Sequence, residues 1–398
     1  MHRPATSPHR RRICLIALLL LGACSLAPGA PAVTWRSAAI DAEVTGELFL
    51  PPVATDGPMP TVVYLKNLSI PRLGRDDDAA IIRDLVGDGC MVLVLDYRRH
   101  AKATSPQLNA DVLKLRRDIA GKQRVLLADR PVDVNRLFIL PEGFRLRRDV
   151  EFARDGDRVL AMDLLYPASP VEPAPLLLEV TCDNRERMGA FSLLYCEDSL
   201  VEGATFAGFA AAMVDHPVAP PYKGIDSMPA DLLKLESAVR KARELARELG
   251  LSGRIGAMGF SRGGPPVAMR AARGRGDSAI QAALVHGNRY DYLNLLPDDP
   301  MRQRFQAAWG PAQENREHWA NQSVVTFVGA QTAPMFLNTS ATESPEYRHG
   351  LEQLRRSLAA TAVEHVYQVD PDDRGHRVTT DVMTLDRIYT FFRQQLDR

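Results

Sequence analysis

The chain has 398 residues, of which 45% are hydrophobic and 25% are charged, and its formal net charge is +0. This composition is that of an ordinary globular protein. The length allows one large domain or two smaller ones. Because the chain has no excess of basic residues, electrostatics offer no case for a nucleic-acid partner, and we expect none.

The N-terminus has the pattern of an export signal. Basic residues at 9–12 precede an apolar run at 13–21, which is too short to act as a stable membrane-spanning anchor. The run ends in the sequence Leu-Gly-Ala-Cys at 21–24, which looks like a bacterial lipobox. That resemblance implies cleavage before Cys24 and diacylation of its sulfur. It places the protein in the bacterial cell envelope, lipid-anchored to a membrane and facing the periplasm.

We therefore expect a signal peptide over residues 1–23 and a short tether over residues 24–34. The alternative is a plain secretory signal that is cut after Ala30 or Ala32. Removal of residues 1–23 takes away four arginines and no acidic residue, which leaves 45 basic and 49 acidic residues and a net charge of −4.

The five cysteines fit an exported protein. Cys14 is lost with the signal, and Cys24 is the residue that would be lipidated. In an oxidising compartment we expect Cys182 and Cys196 to form a disulfide, with Cys90 buried at the start of a strand. No C-x-x-C pair or His/Cys cluster indicates a metal site, so we expect no metal.

Strands alternate with helices in a first block, residues 35–147. Its predicted elements are the strand Thr61–Leu65, the helix Asp77–Gly87, the strand Met91–Asp96, a mostly helical Leu108–Leu127 and the strand Leu137–Leu140.

A second block, residues 148–398, begins with a hairpin and continues with the same alternation. Its predicted strands are Val150–Ala153, Val159–Pro167, Leu176–Val180, Ala210–Val214, Ile255–Gly259, Ile280–His286, Met335–Leu337 and Val363–Val369. Its predicted helices are Glu202–Phe209, Asp231–Leu249, one beginning at Pro265, a polar helical excursion over Leu295–Trp319, Tyr347–Ala360 and Asp381–Leu396. This alternation predicts an α/β protein with a mostly parallel sheet that is covered by helices on both faces.

The most informative segment is the sequence Gly-Phe-Ser-Arg-Gly at 259–263, which lies between a strand and a helix. That context is the one a nucleophile elbow requires. The turn is so sharp that its serine is strained, and side chains at the flanking glycine positions would clash with the strand or the helix. The turn lifts the hydroxyl of Ser261 above the sheet at a helix N-terminus, where developing negative charge is stabilised.

The first block ends where an elbow would stand, but the sequence Pro-Glu-Gly-Phe at 141–144 contains no serine. We interpret the first block as a half-copy of the second that lacks the nucleophile. The alternative is that successive βα units simply resemble one another.

From about residue 148 to residue 398 the order of elements resembles the α/β-hydrolase fold, and within it the exported carbohydrate-esterase and small-ester esterase group. The matching segments are Val159–Pro167, the elbow Gly259–Gly263, the segment Ala333–Leu337 and the end Asp373–His376. The resemblance implies a doubly wound sheet and a serine hydrolase for carboxylic esters that uses no cofactor.

Ser261 matches the nucleophile of that family. A serine hydroxyl needs a base in contact with it, and His376 stands in the family's position after the last core strand. His286 and His216 are competitors for this role, but neither lies in the family's histidine loop.

The acid is expected in the loop after the strand Met335–Leu337. The aligned position lies near Ala341, which cannot orient an imidazole, and Glu343 follows two residues later. We assign Glu343 as the acid, since glutamate is an accepted member of such triads. The alternatives are Asp291 and the pair Asp372 and Asp373; Glu343 would then be only a carboxylate at a helix N-terminus.

The oxyanion hole needs two backbone N–H groups. One is that of Arg262, and the second is expected in the loop after Leu176–Val180, at Cys182 or Asp183. Many relatives carry His-Gly-Gly in this loop, whereas this chain does not, and a bridge between Cys182 and Cys196 would hold the loop instead.

Residues 295–332 lie where the fold often carries a lid. Trp309, Trp319 and Arg304 are candidates for a substrate wall there, and the alternative is that these helices simply pack on the surface.

The expected function is hydrolysis of a small-molecule or carbohydrate ester by an enzyme bound to the membrane through its N-terminal lipid. A serine peptidase of the same fold and a catalytically inactive binding lipoprotein are the alternatives.

Overall fold

The computed structural model describes residues 32–37, 40–52, 57–68, 70, 77–97, 105–120, 127, 130–180, 200–215, 228–371, 375–376 and 382–398. The predicted signal peptide and several candidate residues lie outside the described residues. These candidates are Cys14, Cys24, Cys182, Asp183, Cys196, His216, Asp372 and Asp373.

Five strands form a first sheet in the order β1-β2-β4-β3-β5. They are β1 (Ala32–Ser37), β2 (Ala42–Phe49), β3 (Met59–Lys66), β4 (Met91–Asp96) and β5 (Val132–Pro141). β2 pairs antiparallel with both β1 and β4, whereas β3 pairs parallel with both β4 and β5. β1 and β2 were not predicted from the sequence, and β1 begins inside the stretch assigned to the tether.

Eight strands form a second sheet in the order β6-β7-β9-β8-β10-β11-β12-β13. They are β6 (Phe144–Asp155), β7 (Arg158–Pro167), β8 (Leu176–Val180), β9 (Ala210–Val214), β10 (Ile255–Gly259), β11 (Ala282–His286), β12 (Met335–Ser340) and β13 (His365–Asp370). β7 pairs antiparallel with β6 and β9, and every other neighbouring pair is parallel. The boundary predicted after residue 147 falls inside β6.

The α-helices of the described residues are α1 (Asp78–Gly87), α2 (Ser105–Ala120), α3 (Leu200–Phe206), α4 (Met228–Glu248), α5 (Gly264–Arg273), α6 (Arg302–Trp309), α7 (Arg316–Gln322), α8 (Pro345–Ala360) and α9 (Val382–Leu396). With the two sheets they make an α/β chain, as the sequence predicts. None of these helices is both long and apolar enough to cross a membrane.

Successive residues of the second sheet's strands point to opposite faces, and each face has its own core. Leu176 and Leu178 pack in the core that contains residues of α4, α5 and α8, whereas Leu177 packs with residues of α3 and α9. The second of these cores also contains the apolar residues of the first sheet, and α2 packs against α3 and α9. The first sheet is therefore joined to one face of the second by a shared hydrophobic core.

The excursion between β11 and β12 has a small core of its own. Tyr292, Leu295, Phe305, Trp309 and Trp319 form it, and each of them is at least nine-tenths buried. The Trp319 indole N–H donates to the carbonyl of Gly310. The two tryptophans therefore pack the excursion internally and do not form an open wall, which corrects that expectation.

Candidate active site

The turn after β10 holds Ser261 in a left-handed backbone conformation, with φ +48°. A Cβ atom on Gly259 would overlap the carbonyl oxygen of Gly263, so only glycine fits at the end of β10. The Gly263 N–H donates to the carbonyl of Phe260 at 2.7 Å, and α5 begins at Gly264. A strained serine between a buried strand and a helix is the geometry of a nucleophile elbow.

Two hydrogen bonds join Ser261 to a buried carboxylate through one imidazole. His376 Nε2 lies 2.8 Å from Ser261 Oγ, and His376 Nδ1 lies 2.6 Å from Glu343 Oε2. The Glu343 side chain is fully buried, whereas the His376 side chain is 29% exposed. The structure thus brings together three residues that the sequence analysis selected from separate loops.

The carboxylate of Glu343 is held on both sides. Its Oε1 accepts the N–H of Ser344 at 2.8 Å, at the start of α8. A Cβ atom on Gly287, directly after β11, would lie 2.9 Å from Oε2. The space for the acid is therefore provided by a glycine on the neighbouring strand's loop.

The loop that carries His376 is tied to the loop that carries the acid. Gly375 has φ +67°, its carbonyl accepts the hydroxyl of Ser340 at 2.6 Å, and its N–H donates to Thr342 Oγ1 at 3.0 Å. Both partners lie at the end of β12 or just after it, so the loops of His376 and Glu343 are fixed relative to one another.

Two aromatic rings contact the imidazole of His376. The ring centroid of Phe260 lies 5.2 Å away in a stacked arrangement, and that of Tyr347 lies 4.5 Å away. These contacts restrict the orientation of the imidazole.

Asn288 contacts Ser261 but was not among the residues predicted from the sequence. Its side-chain amide donates to the carbonyl of Ser261 at 2.5 Å, and its Oδ1 accepts the N–H of Arg289 at 2.6 Å. Asn288 is buried, and it braces the strained turn from the end of β11. Its place at the carboxyl end of a strand beside the elbow is the signal that could have found it.

Arg289 links the excursion to the base. It makes two hydrogen bonds to Asp299, at 2.7 and 2.8 Å, and its guanidinium lies 4.9 Å from the ring centroid of Tyr347. Burial lowers the pKa of Arg289, but the hydrogen bonds and charge of Asp299 outweigh it, so the pKa is raised. Arg289 is therefore a paired cation at the edge of the site.

His286 lies beside the carboxylate of Glu343 and the imidazole of His376. Its Nδ1 is 3.8 Å from Glu343 Oε2, and its ring centroid is 5.5 Å from that of His376. His286, Glu343 and His376 are also the group of potential metal ligands found within the described ranges, with ligand atoms within 4.8 Å of one another. The 2.6 Å contact within this group is a hydrogen-bond distance, which suits an acid–base pair.

Asp291, the alternative acid, lies elsewhere. Its Oδ1 accepts the N–H of Leu293 at 3.1 Å and its Oδ2 accepts the side-chain amide of Asn294 at 2.6 Å. Its carboxylate therefore caps a turn after β11, and Glu343 takes the position beside the imidazole. Arg262 follows the serine within the elbow, where its N–H was expected to serve the oxyanion hole.

Comparisons with known proteins identify the fold. No protein-family model and no curated protein sequence matches the chain. A solved truncated carbohydrate esterase from gut microbiota is similar over 64% of this chain and 96% of its own, with TM-score 0.50 and 15% identity. The Pyrococcus horikoshii acylaminoacyl peptidase matches 64% of this chain with TM-score 0.52 and 14% identity. Over the 64% of the chain that these structures cover, the fold is that of the α/β-hydrolases.

A puromycin-hydrolyzing peptidase from Mycobacterium tuberculosis is also similar in structure, over 68% of this chain, with TM-score 0.50 and 16% identity. The chain spans 42% and 41% of the length of the two peptidases, but nearly all of the esterase. Ser261, Glu343 and His376 follow β10, β12 and β13, so all three lie at the carboxyl ends of parallel strands of the second sheet.

Proposed function

We propose that the protein is an exported serine hydrolase that cleaves carboxylic esters, acyl or carbohydrate, through an acyl-enzyme. The observation that carries the proposal is the hydrogen-bonded series from Glu343 through His376 to the hydroxyl of Ser261. The strained elbow under Ser261 and the burial of the acid support it further. The proposed reaction needs no cofactor.

In the proposed mechanism Ser261 Oγ attacks the ester carbonyl while His376 Nε2 takes the hydroxyl proton. Glu343 holds the Nδ1–H tautomer and stabilises the imidazolium. Collapse of the tetrahedral intermediate expels the alcohol, which receives the proton from His376. The same imidazole then activates a water molecule, which attacks the acyl-enzyme. This step releases the carboxylic acid product and restores Ser261.

The negative oxygen of the tetrahedral intermediate needs two N–H donors. We assign the N–H of Arg262 as one of them. For the second we keep the loop after β8, at Cys182 or Asp183. A disulfide between Cys182 and Cys196 remains our proposal for what holds this loop.

Covalent labelling tests the activity directly. A fluorophosphonate probe should label the wild-type protein at Ser261 and fail to label Ser261→Ala, because the probe requires an activated serine. Ser261→Ala should also lower ester turnover on the order of 10³-fold or more while folding is kept. An unlabelled wild-type protein would instead support an inactive binding lipoprotein.

A peptidase is the second candidate, because two solved structures with this fold are peptidases. Hydrolysis of p-nitrophenyl acetate without hydrolysis of peptide anilides is the result we expect. The reverse preference would replace the esterase proposal with the peptidase one.

Export and lipidation are part of the proposal. The Leu-Gly-Ala-Cys sequence after a basic, apolar leader supports cleavage before Cys24 and attachment to a membrane facing the periplasm. Mass spectrometry should find a lipidated Cys24 as the first residue of the membrane-associated protein. An unmodified N-terminus further along the chain would argue for a plain secretory signal.

We further propose that the first block is a half-copy of the hydrolase unit. The first sheet has the order β1-β2-β4-β3-β5, and the second begins with β6-β7-β9-β8-β10, which is the same order with the same strand directions. The second unit then carries the catalytic residues, and residues 295–332 form its lid. The pairing of Arg289 with Asp299 would couple that lid to the site.

A further inference from the structure

Asp370, the last residue of β13, carries a buried carboxylate that takes no part in the mechanism described above. The residue is only 1% exposed. Its Oδ2 accepts the side-chain amide of Asn338 at 2.8 Å, and its Oδ1 accepts the side-chain amide of Gln368 at 2.8 Å and the hydroxyl of Thr384 at 3.0 Å. A carboxylate is tolerated in such a place because donors satisfy its oxygens.

The three donors come from three different elements. Asn338 belongs to β12, Gln368 to β13 and Thr384 to α9. The amide of Gln368 also donates to Thr384 Oγ1 at 2.6 Å, so the groups around the carboxylate are linked to one another. The carboxylate of Asp370 therefore ties the first turn of α9 to the carboxyl ends of two strands.

The position of these contacts along the chain relates them to the base. His376 lies in the segment that leaves β13 at Asp370 and enters α9 before Thr384. The hydrogen bond between Thr384 and Asp370 joins the two sides of that segment. One carboxylate thus restricts where the segment of the base begins and where it ends.

Asp370 also contacts the segment of the acid. Its backbone carbonyl accepts the N–H of Ala341 at 2.8 Å, shortly before Glu343. Ser340, its register partner on β12, donates its hydroxyl to the carbonyl of Gly375 at 2.6 Å. The residue therefore holds both of the segments that must meet.

The site tolerates little displacement of these segments. His376 lies 2.6 Å from Glu343 and 2.8 Å from Ser261 Oγ, and a shift of about 1 Å would carry either contact beyond hydrogen-bond distance. Misplacement by about that amount from a change far from the chemistry can cost roughly 100-fold in rate.

We propose that Asp370 is a positioning residue of the hydrolase, whose carboxylate fixes the separation of His376 from Glu343 and from Ser261. The proposal rests on the proposed function of Ser261. Asp370 contacts none of these three side chains in the hydrogen bonds described, and it acts through the two segments that carry the base and the acid.

Asp370→Asn tests the proposal, because it keeps the shape of the side chain but replaces an accepting oxygen with an N–H donor. A fluorophosphonate probe counts the active sites, and kcat is expressed per labelled site. We expect kcat per labelled site to fall roughly 10- to 100-fold, KM to stay within about threefold, and labelling to slow by the same factor as kcat. A purely structural role would lower the unfolding temperature or the number of labelled sites and leave kcat per labelled site at the wild-type value. That result would overturn the proposal.

Asp111→Asn is the matched control. Asp111 is also fully buried, and its Oδ2 accepts the hydroxyls of Ser37 and Tyr97, each at 2.6 Å, in the first block. This variant should lose stability and keep the wild-type kcat per labelled site, because its network does not reach the segments of the base and the acid. An equal loss of kcat per labelled site in both variants would also overturn the proposal.

Thr384→Val gives a second readout, which decides the matter if Asp370→Asn does not fold. It removes the hydroxyl that joins α9 to Asp370 while keeping a side chain of similar size. We expect kcat per labelled site to fall roughly fivefold or more, and a wild-type value would overturn the proposal. An unlabelled wild-type protein would contradict the activity of Ser261 itself, whereas a labelled wild type with unchanged variants would contradict only the role of Asp370.

Discussion

A Cβ atom on Gly287 would lie 2.9 Å from Oε2 of Glu343, the same oxygen that contacts His376. Gly287 follows β11 directly and carries no positive φ, so its conformation is open to other residues. The requirement for glycine at this position is therefore steric, and it comes from the carboxylate of Glu343.

Gly287→Ala should lower kcat on the order of 10- to 100-fold with little change in KM. The added methyl group displaces the carboxylate and tilts the imidazole, and small displacements of catalytic groups have effects of this size. Steady-state kinetics with p-nitrophenyl acetate measure it. Gly329→Ala is the matched control, because an added Cβ atom there meets nothing within 4 Å. Wild-type kinetics in Gly287→Ala would mean that the acid tolerates displacement.

Glu343→Gln should cut kcat by up to about 10⁴-fold, because an amide no longer selects the Nδ1–H tautomer of His376 or stabilises its positive charge. Asp291→Asn is the matched control. Its carboxylate caps a turn through Leu293 and Asn294, so this variant should keep activity within about threefold. A larger loss in Asp291→Asn than in Glu343→Gln would transfer the role of the acid to Asp291.

Asn288→Ala should lower kcat by roughly 10- to 100-fold. The side-chain amide of Asn288 holds the carbonyl of Ser261, and without it the strained turn relaxes and the hydroxyl moves away from His376. Fluorophosphonate labelling should become slower by a similar factor, which reports on the nucleophile without any substrate. Asn294→Ala serves as the comparison, because Asn294 follows the same strand and its side-chain amide donates to Asp291. Equal labelling rates for all three proteins would remove Asn288 from the site.

Acid should destabilise the protein in part through Glu352. Hydrogen bonds from Arg355, and also from Arg356, lower the pKa of Glu352 from 4.5 to about 2. A folded-state pKa below the ordinary one means that this contribution to stability is complete above pH 4.5 and is lost as the pH falls toward 2. Glu352→Gln should therefore be less stable than wild type above pH 4.5, and this difference in the free energy of unfolding should shrink as the pH falls toward 2. Urea unfolding at several pH values measures it. A difference that is constant with pH would contradict the assignment.

The sequence alone determined the elements with the strongest local signals. The observed bounds of β4, β8 and β9 are those that the sequence predicted. Each of these strands is a short continuous apolar run between turns. β1 and β2 were missed because exposed residues alternate with buried ones along both strands. Period-two alternation is present there, but over a few residues it is a weak signal.

The sequence also predicted the elbow around Ser261, because local sterics require its glycines. The sequence did not settle whether Glu343 or Asp291 contacts His376, since both residues follow strands whose carboxyl ends lie at one edge of the sheet. In the structure, the packing of the loops brings Glu343 to His376 and brings His376 to a serine 115 residues away, whereas Asp291 caps a turn. Tertiary structure likewise revealed that the side-chain amide of Asn288 holds the carbonyl of Ser261. Contacts between distant loops depend on the arrangement of strands in the sheet, which local sequence patterns do not encode.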